Sequence, residues 1–273
     1  QAEEIFKSVV AVLNGALGVS EDQIAVWNFL GWKVTGEACA RVPGRFRSLR
    51  DRAGNPVKCT AEQEGGETVF RFEAADVPPL GVAVYTACEE ECPCESLRAS
   101  VRCLENDHLR LTLDEDGSIA SLWDKHESRE VFTNEQPSNL LTVFEDIPHR
   151  ESAWNIDFEY MDHFWTLKKA RSVELIEASP VRAVVRVVRE FNLSVITQDI
   201  VLERGARRVD FVTHVDWRET ERMLKAAFYP DVLSQKATYE IQFGAIERPT
   251  HWNTSYDHAR FEVCAHKWAD LSE

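Results

Sequence analysis

From Ser172 to Trp217 the chain reads SVELIEASPVRAVVRVVREFNLSVITQDIVLERGARRVDFVTHVDW, a succession of β-branched apolar runs cut by short polar breaks. The breaks leave no room for the helical crossover that parallel neighbours need, so the strands must pair antiparallel. The spacing predicts four or five long strands with no helical insert, and so a large double-sheet architecture. The same period recurs upstream, where Val69, Arg71 and Glu73 alternate with Phe70, Phe72 and Ala74. Side chains two apart share a face, so this strand has one wet side and one dry side. The fold class expected is all-β.

Three stretches divide the chain. Ile5, Phe6, Val9, Val10, Val12, Leu13 and Leu17 fall at helical spacing within Ala2–Leu17, and Gly15 and Gly18 weaken its end. One helix of this length is marginal alone; residues 1–22 read as the tail of a helical bundle whose partners lie upstream. Residues 23–95 read as a small antiparallel β-sandwich, its strands broken by turns such as Asp51-Arg52-Ala53-Gly54-Asn55-Pro56. The acidic connector Cys88–Ser96 marks the boundary. Residues 96–273 form the large sandwich, in which Asp114-Glu115-Asp116-Gly117 signals a hairpin turn between two apolar runs.

The formal net charge of −15 would repel nucleic acid and anionic membrane surfaces. It is compatible with a neutral ligand such as a sugar. No apolar run approaches the roughly 20 residues a membrane span needs. The first residues, QAEEIFKSVVAVLNGALG, lack the basic region and cleavage site of a signal peptide, so cytoplasmic residence is expected. Seven cysteines, an odd number, fit a reduced compartment better than a disulfide framework. Cys88, Cys92, Cys94 and Cys103 follow C-x3-C-x-C-x8-C, unlike the paired C-x2-C knuckles of tetrahedral zinc sites; they read as linker thiols.

His214-Val215-Asp216 puts a histidine and a carboxylate on one face of a strand, but further ligands are not evident. No metal ligand is assigned here. Phosphate loop, nucleophile elbow and H-E-x-x-H helix are absent from the sequence. Glycoside hydrolysis needs two carboxyls flanking the scissile bond. None of the 46 acidic residues stands out as such a pair. No catalytic residue is assigned.

The segment Phe144-Glu145-Asp146-Ile147-Pro148 through Trp154-Asn155-Ile156-Asp157 combines an indole with carboxylates on a loop. A pyranose can stack its apolar face on indole while carboxylates accept its hydroxyl protons. A second dense run is Tyr239–Glu273, with Arg248-Pro249-Thr250-His251-Trp252-Asn253-Thr254 at its centre. Together with Ala25-Val26-Trp27-Asn28, Trp32 and Thr35-Gly36, these segments resemble the C-terminal half of family 38 α-mannosidases of the cytosolic and bacterial branch. The resemblance implies a galactose-mutarotase-like β-supersandwich, truncated at its C-terminus, and a chain that is part of a larger enzyme. That parent would be a retaining, metal-dependent hydrolase removing α-linked mannose from oligosaccharides. Its nucleophile and its zinc or other divalent metal would lie in an N-terminal catalytic domain absent from this chain. The part in hand would support and rim the active site and help assemble a homo-oligomer. Asp146, Trp154, Asp157, His251 and Asn253 are the implied substrate-binding positions. The chain departs from the family pattern at Glu151-Ser152 and Asn155. Two alternatives remain: a stand-alone carbohydrate-binding module, and a mutarotase-like epimerase, which would need a paired His and Glu in one cleft.

Overall fold

Phe70 and Phe72 are fully buried from the middle of the strand Glu67–Val77, as the alternation requires. The computed structural model describes residues 2–133, 135–152 and 154–273, so Gln1, the first residue of the expected helical tail, lies outside them. Glu67–Val77 pairs with Val34–Pro43 on one side and Cys59–Glu64 on the other. Facing this sheet is a second one, ordered Gln23–Asn28, Gly81–Cys88, Ser48–Arg50, Pro56–Val57. Leu49, Phe70, Phe72 and Tyr85 fill the space between, with the Phe72 and Tyr85 rings edge to face at 4.8 Å. Each such side chain contributes roughly 1.5–3 kcal/mol by leaving water.

The strand-rich run beyond Ser172 forms a four-stranded meander, Ser172–Ala178, Arg182–Phe191, Ser194–Glu203 and Asp210–Asp216, each antiparallel to the last. One face of its central hairpin carries Ala183, Val185, Val187 and Arg189 opposite Leu202, Ile200, Gln198 and Ile196. The first half of that face packs on the five-stranded sheet built from Arg98–Ser100 to Arg129–Glu130, around Leu104, Leu111 and Ile119. At its far end Ile196 joins Leu141, Val143 and Leu167 in a smaller core. Those last residues belong to a three-stranded sheet in which Leu140–Glu145 lies between Phe164–Thr166 and Arg222–Ala227. A further sheet, Gly244–Pro249, Lys236–Ile241 and Ala269–Asp270, carries the C-terminal run. The fold is all-β, with the helix Ala2–Leu17 at its start.

Between the two cores sits a polar interruption. Arg189 is only 1% exposed, and its guanidinium donates to the Leu167 carbonyl at 3.2 Å and the Asp116 carbonyl at 2.6 Å. Burial pulls its pKa down, while the charge of Asp116 works the other way. Asn139 Nδ2 donates to Gln198 Oε1 at 2.7 Å, and Gln198 Nε2 donates to Thr213 Oγ1 at 3.0 Å.

The small sandwich meets the larger body through charge. Glu37 is paired with Arg71 from its own sheet and, at 3.5 Å, with Arg182 from the hairpin. The Glu37 backbone N–H bonds the Glu203 carboxylate, whose pKa burial raises. The helix Ala2–Leu17 is attached more lightly. Trp27 Nε1 donates to Asn14 Oδ1 at 2.7 Å and the Phe6 ring meets the edge of Phe29 at 5.5 Å. Its apolar residues Ile5, Phe6, Val9 and Val12 remain exposed.

The Asp114–Gly117 turn joins Leu109–Leu113 to Ile119–Asp124, as the turn signal predicts. Gly117 has φ +77°, and a Cβ there would stand 2.6 Å from a Val187 methyl. Gly54 has φ +85° with open space around it. An alanine at either position suffers the left-handed backbone cost of about 1–2 kcal/mol. Only Gly117→Ala adds overpacking of about 1–3 kcal/mol. Urea unfolding should therefore show Gly117→Ala roughly 1–3 kcal/mol less stable than Gly54→Ala. Equal losses would show that the turn moves freely away from the hairpin face.

Candidate functional site

The strand Leu140–Glu145 returns as Phe164–Thr166, with Phe144 opposite Phe164, and the described residues between them belong to one long loop. The backbone leaves the sheet at Asp146, whose N–H is held by the Glu221 carbonyl at 3.0 Å. It comes back through the 3-10 turn Phe158–Asp162. The loop folds over its own base and encloses a cleft of about 170 Å³ lined by Glu145, Asp146, His149, Asp157, Tyr160 and His163. This is smaller than the roughly 300–1,000 Å³ of a drug-sized pocket, and suits part of a small polar ligand.

Asp157 closes the loop. Its Oδ2 accepts the His149 backbone N–H at 2.7 Å and lies 2.6 Å from His149 Nδ1, while Oδ1 accepts from Asn155 Nδ2 at 3.1 Å. These bonds hold the Asp157 carboxyl below its usual range, and the same carboxylate raises the His149 imidazole. Asn155, one of the departures from the family pattern, thus serves as a donor to Asp157. At the base, Glu145 is flanked by His163 Nδ1 at 3.3 Å and Arg222 at 3.5 Å, and the Arg222 guanidinium lies 5.0 Å over the Trp165 ring. Asp146 Oδ1 is buried with no hydrogen-bond partner among the described residues.

The C-terminal run backs this loop. Phe158 packs against Trp252, His258 and Phe261, with centroids 6.2, 4.6 and 5.3 Å away. Tyr160 Oη donates to Glu262 at 2.6 Å and accepts from Lys225 Nζ at 2.8 Å. Lys225 also stands 4.1 Å over the Tyr160 ring and pairs with Glu262. Burial and the Glu262 carboxylate together push the Tyr160 phenol up. A Thr254–Asp257 capping box fixes the short helix Ser255–His258 that presents His258 to Phe158.

The structure therefore gathers the sequence-derived positions in one region but gives them different places. Asp146 and Asp157 line the cleft. Trp154 stands at the tip of the loop, 89% exposed, just after Glu151 with its φ of +56°. His251 faces Asp257 at 3.8 Å, and Asn253 is exposed beside it. It is Trp252 between them that reaches the loop. Sequence reasoning missed Glu145, His149, Tyr160 and His163 as cleft-forming groups, and Lys225 as a partner of Tyr160 behind them. The two histidines bracketing the loop were the available signal.

His214 and Asp216 lie on the strand Asp210–Asp216. Both Asp216 oxygens are engaged by Arg218, at 2.9–3.2 Å, and this holds the carboxyl low.

A family model described as Glycosyl hydrolases family 38 C-terminal domain matches residues 104–273. Alpha-mannosidase G of Dictyostelium discoideum is 38% identical over 182 residues, covering 62% of this chain and 16% of that protein. Alpha-mannosidase 2C1 of Homo sapiens is 37% identical over 172 residues, again 62% of this chain and 16% of that protein. The chain thus spans a small part of the length of these curated relatives. A crystal structure of an alpha-mannosidase from Enterococcus faecalis V583 superposes with a TM-score of 0.65 over 86% of this chain and 34% of that one. At 12% identity that likeness is one of fold.

The His149–Asp157 latch has a pH window. The raised imidazole contributes fully below its unfolded pKa and loses its contribution as pH rises through the raised value. The lowered carboxyl contributes above its unfolded pKa and loses it as pH falls through the lowered value. The latch is closed between the two. A proton NMR titration of His149 should give a midpoint above the ordinary 6.5, and Asp157→Asn should bring it back toward that value. A midpoint unmoved by the substitution would mean that the pair is not formed in solution.

Proposed function

The chain belongs to glycosyl hydrolase family 38 through its C-terminal domain, and from that premise we propose that it serves an α-mannosidase as a non-catalytic part that supports and rims the active site. The observation that carries this reading is the loop 146–163. It builds a cleft of carboxylates and imidazoles, is buttressed by the C-terminal run, and lies wholly within the span that matches the family. The partner is the catalytic domain of the same enzyme, and the substrate a mannose-containing oligosaccharide. Retention of configuration and a divalent metal belong to the same reading, and both are assigned to residues outside this chain. Homo-oligomer formation is part of the proposal as well. Seven free cysteines support a reducing compartment, the cytoplasm.

In this reading Trp154 offers a ring to a sugar face. Asp157 keeps the loop shaped, Asp146 lines the cleft, and His251 and Asn253 sit on the outer rim. A mannoside with free hydroxyls is neutral, so carboxylates can accept its protons without charge repulsion. The Lys225–Tyr160–Glu262 array supplies rigidity rather than proton transfer, since its donors and acceptors are spent on one another.

One observation favours a second reading. Glu145 and His163 form the paired carboxylate and imidazole that an epimerase of the mutarotase kind would need, and both line the cleft. Magnetisation exchange between sugar anomers, measured by NMR with the purified chain, separates the readings. Catalysed exchange that vanishes in His163→Ala would favour the epimerase.

In the full-length enzyme, Trp154→Ala should lower kcat/KM by roughly 5- to 150-fold, the loss of about 1–3 kcal/mol of stacking and hydrogen bonding. Its melting temperature should not change, because so exposed a ring contributes little to folding. Asp157→Asn should lower kcat/KM and loosen the loop. Unaltered kinetics in both variants would make the loop structural only. The purified chain alone should not hydrolyse an aryl α-mannoside, with or without added divalent metal.

A further inference from the structure

Along the sequence the cysteines cluster at Cys88, Cys92, Cys94 and Cys103, but the fold regroups them. Cys103 lies in the strand Cys103–Glu105 of the larger body. Cys92 and Cys94 instead share a groove with Cys59, which opens the strand Cys59–Glu64 of the small sandwich. This groove has a volume of about 740 Å³ and is floored by Phe46, Ala61 and Gln63. All three thiols are free and partly exposed. Among the described residues no three His, Cys, Asp or Glu side chains are grouped to hold a metal ion.

The segment bearing Cys92-Pro93-Cys94 has no regular secondary structure and is anchored on both sides. Before it, the Arg47 N–H donates to the Cys88 carbonyl at 2.8 Å and Ser48 Oγ to the Glu90 carbonyl at 2.7 Å. After it, Arg204 Nη2 donates to the Glu95 carbonyl at 2.6 Å. A short irregular span with fixed ends can shift toward the sandwich without unravelling either body. We propose that Cys59 and the Cys92/Cys94 pair form a dithiol–disulfide site that reacts with small-molecule disulfides and staples the connector to the sandwich.

The exchange balances in two steps. A thiolate of the Cys92/Cys94 pair attacks the reagent's S–S bond, which breaks and releases one thiolate that takes up a proton. Cys59 then attacks the resulting mixed disulfide, releasing the second reagent thiol and closing the protein bridge. Two protein thiols are oxidised and one reagent disulfide is reduced. Burial lifts the Cys59 thiol to about 11, with smaller contributions from the charges of Cys94 and Cys92. The second step should therefore quicken about tenfold per pH unit between neutrality and that value, as the thiolate fraction grows.

The test is to titrate the whole chain with glutathione disulfide, trap remaining thiols by alkylation, and map the peptides by mass spectrometry. The expected product is one intramolecular bridge from Cys59 to Cys92 or Cys94, removed by dithiothreitol. Cys39 and Cys264 are more exposed and solitary, and should carry only mixed disulfides. Cys59→Ser should leave a lasting mixed disulfide on the Cys92/Cys94 pair. The variant Cys92→Ser/Cys94→Ser, changed only in the connector, should abolish the bridge without touching the sandwich core. The proposal is overturned if Cys59 stays fully alkylatable after Cys39 and Cys264 have reacted, or if the bridge runs to Cys88 or Cys103. The outcome is independent of the mannosidase reading, since neither arm measures glycoside hydrolysis.

Discussion

Everything in the larger body hangs on one face of the hairpin Arg182–Glu203. Val185, Val187, Ile200 and Leu202 are fully buried there, against strands that come from earlier in the chain. Each contributes roughly 1.5–3 kcal/mol on leaving water. A one-residue slip in register would turn the whole row outward. The same face then carries Arg189, whose Nε and Nη2 donate to two main-chain carbonyls, one from Leu167 and one from the Asp114–Gly117 turn, while Nη1 is buried with no partner among the described residues. A fully buried guanidinium is costly unless its donors are met. Those carbonyls therefore fix where the turn and the strand after the loop must sit. One residue aligns the five-stranded sheet with the sheet that bears the cleft.

The site inherits that alignment. Leu141 and Val143 are buried in the smaller core, so Glu145 at the end of the same strand emerges at a defined height. The loop that follows has no sheet of its own to lean on. Its order comes from the His149–Asp157 contact inside and the Phe158, Tyr160 and Phe261 rings behind. A rim built this way can present polar groups in fixed places while its tip, with Trp154, stays open to solvent.

Periodicity and turn chemistry made the fold readable. The alternation in Val69–Ala74 and the runs beyond Ser172 leave few alternatives once every apolar row must face another, and the all-β class, a run of four or five antiparallel strands and the Asp114 hairpin follow directly. The loop was legible as a segment, because an indole and carboxylates on a connection suggest a ligand. The partners within it were not. His149 and Asp157 are eight apart on irregular backbone, where no period places side chains, and Tyr160, Lys225 and Glu262 meet from three separate segments. The cysteines show the same limit in another form: linear spacing grouped Cys92 and Cys94 with Cys88 and Cys103, and sheet packing brought them to Cys59.

The junction between the small sandwich and the larger body responds to heat differently from the cores on either side. Glu37, Arg71, Arg182 and Glu203 meet there through ion pairs and a main-chain N–H. The free energy of hydrating charged groups becomes less favourable as temperature rises, so the desolvation such contacts require diminishes on warming while hydrophobic burial levels off. The joint should hold its geometry up to the temperature at which the cores themselves give way, and the chain should melt from within its sheets rather than come apart at its hinge.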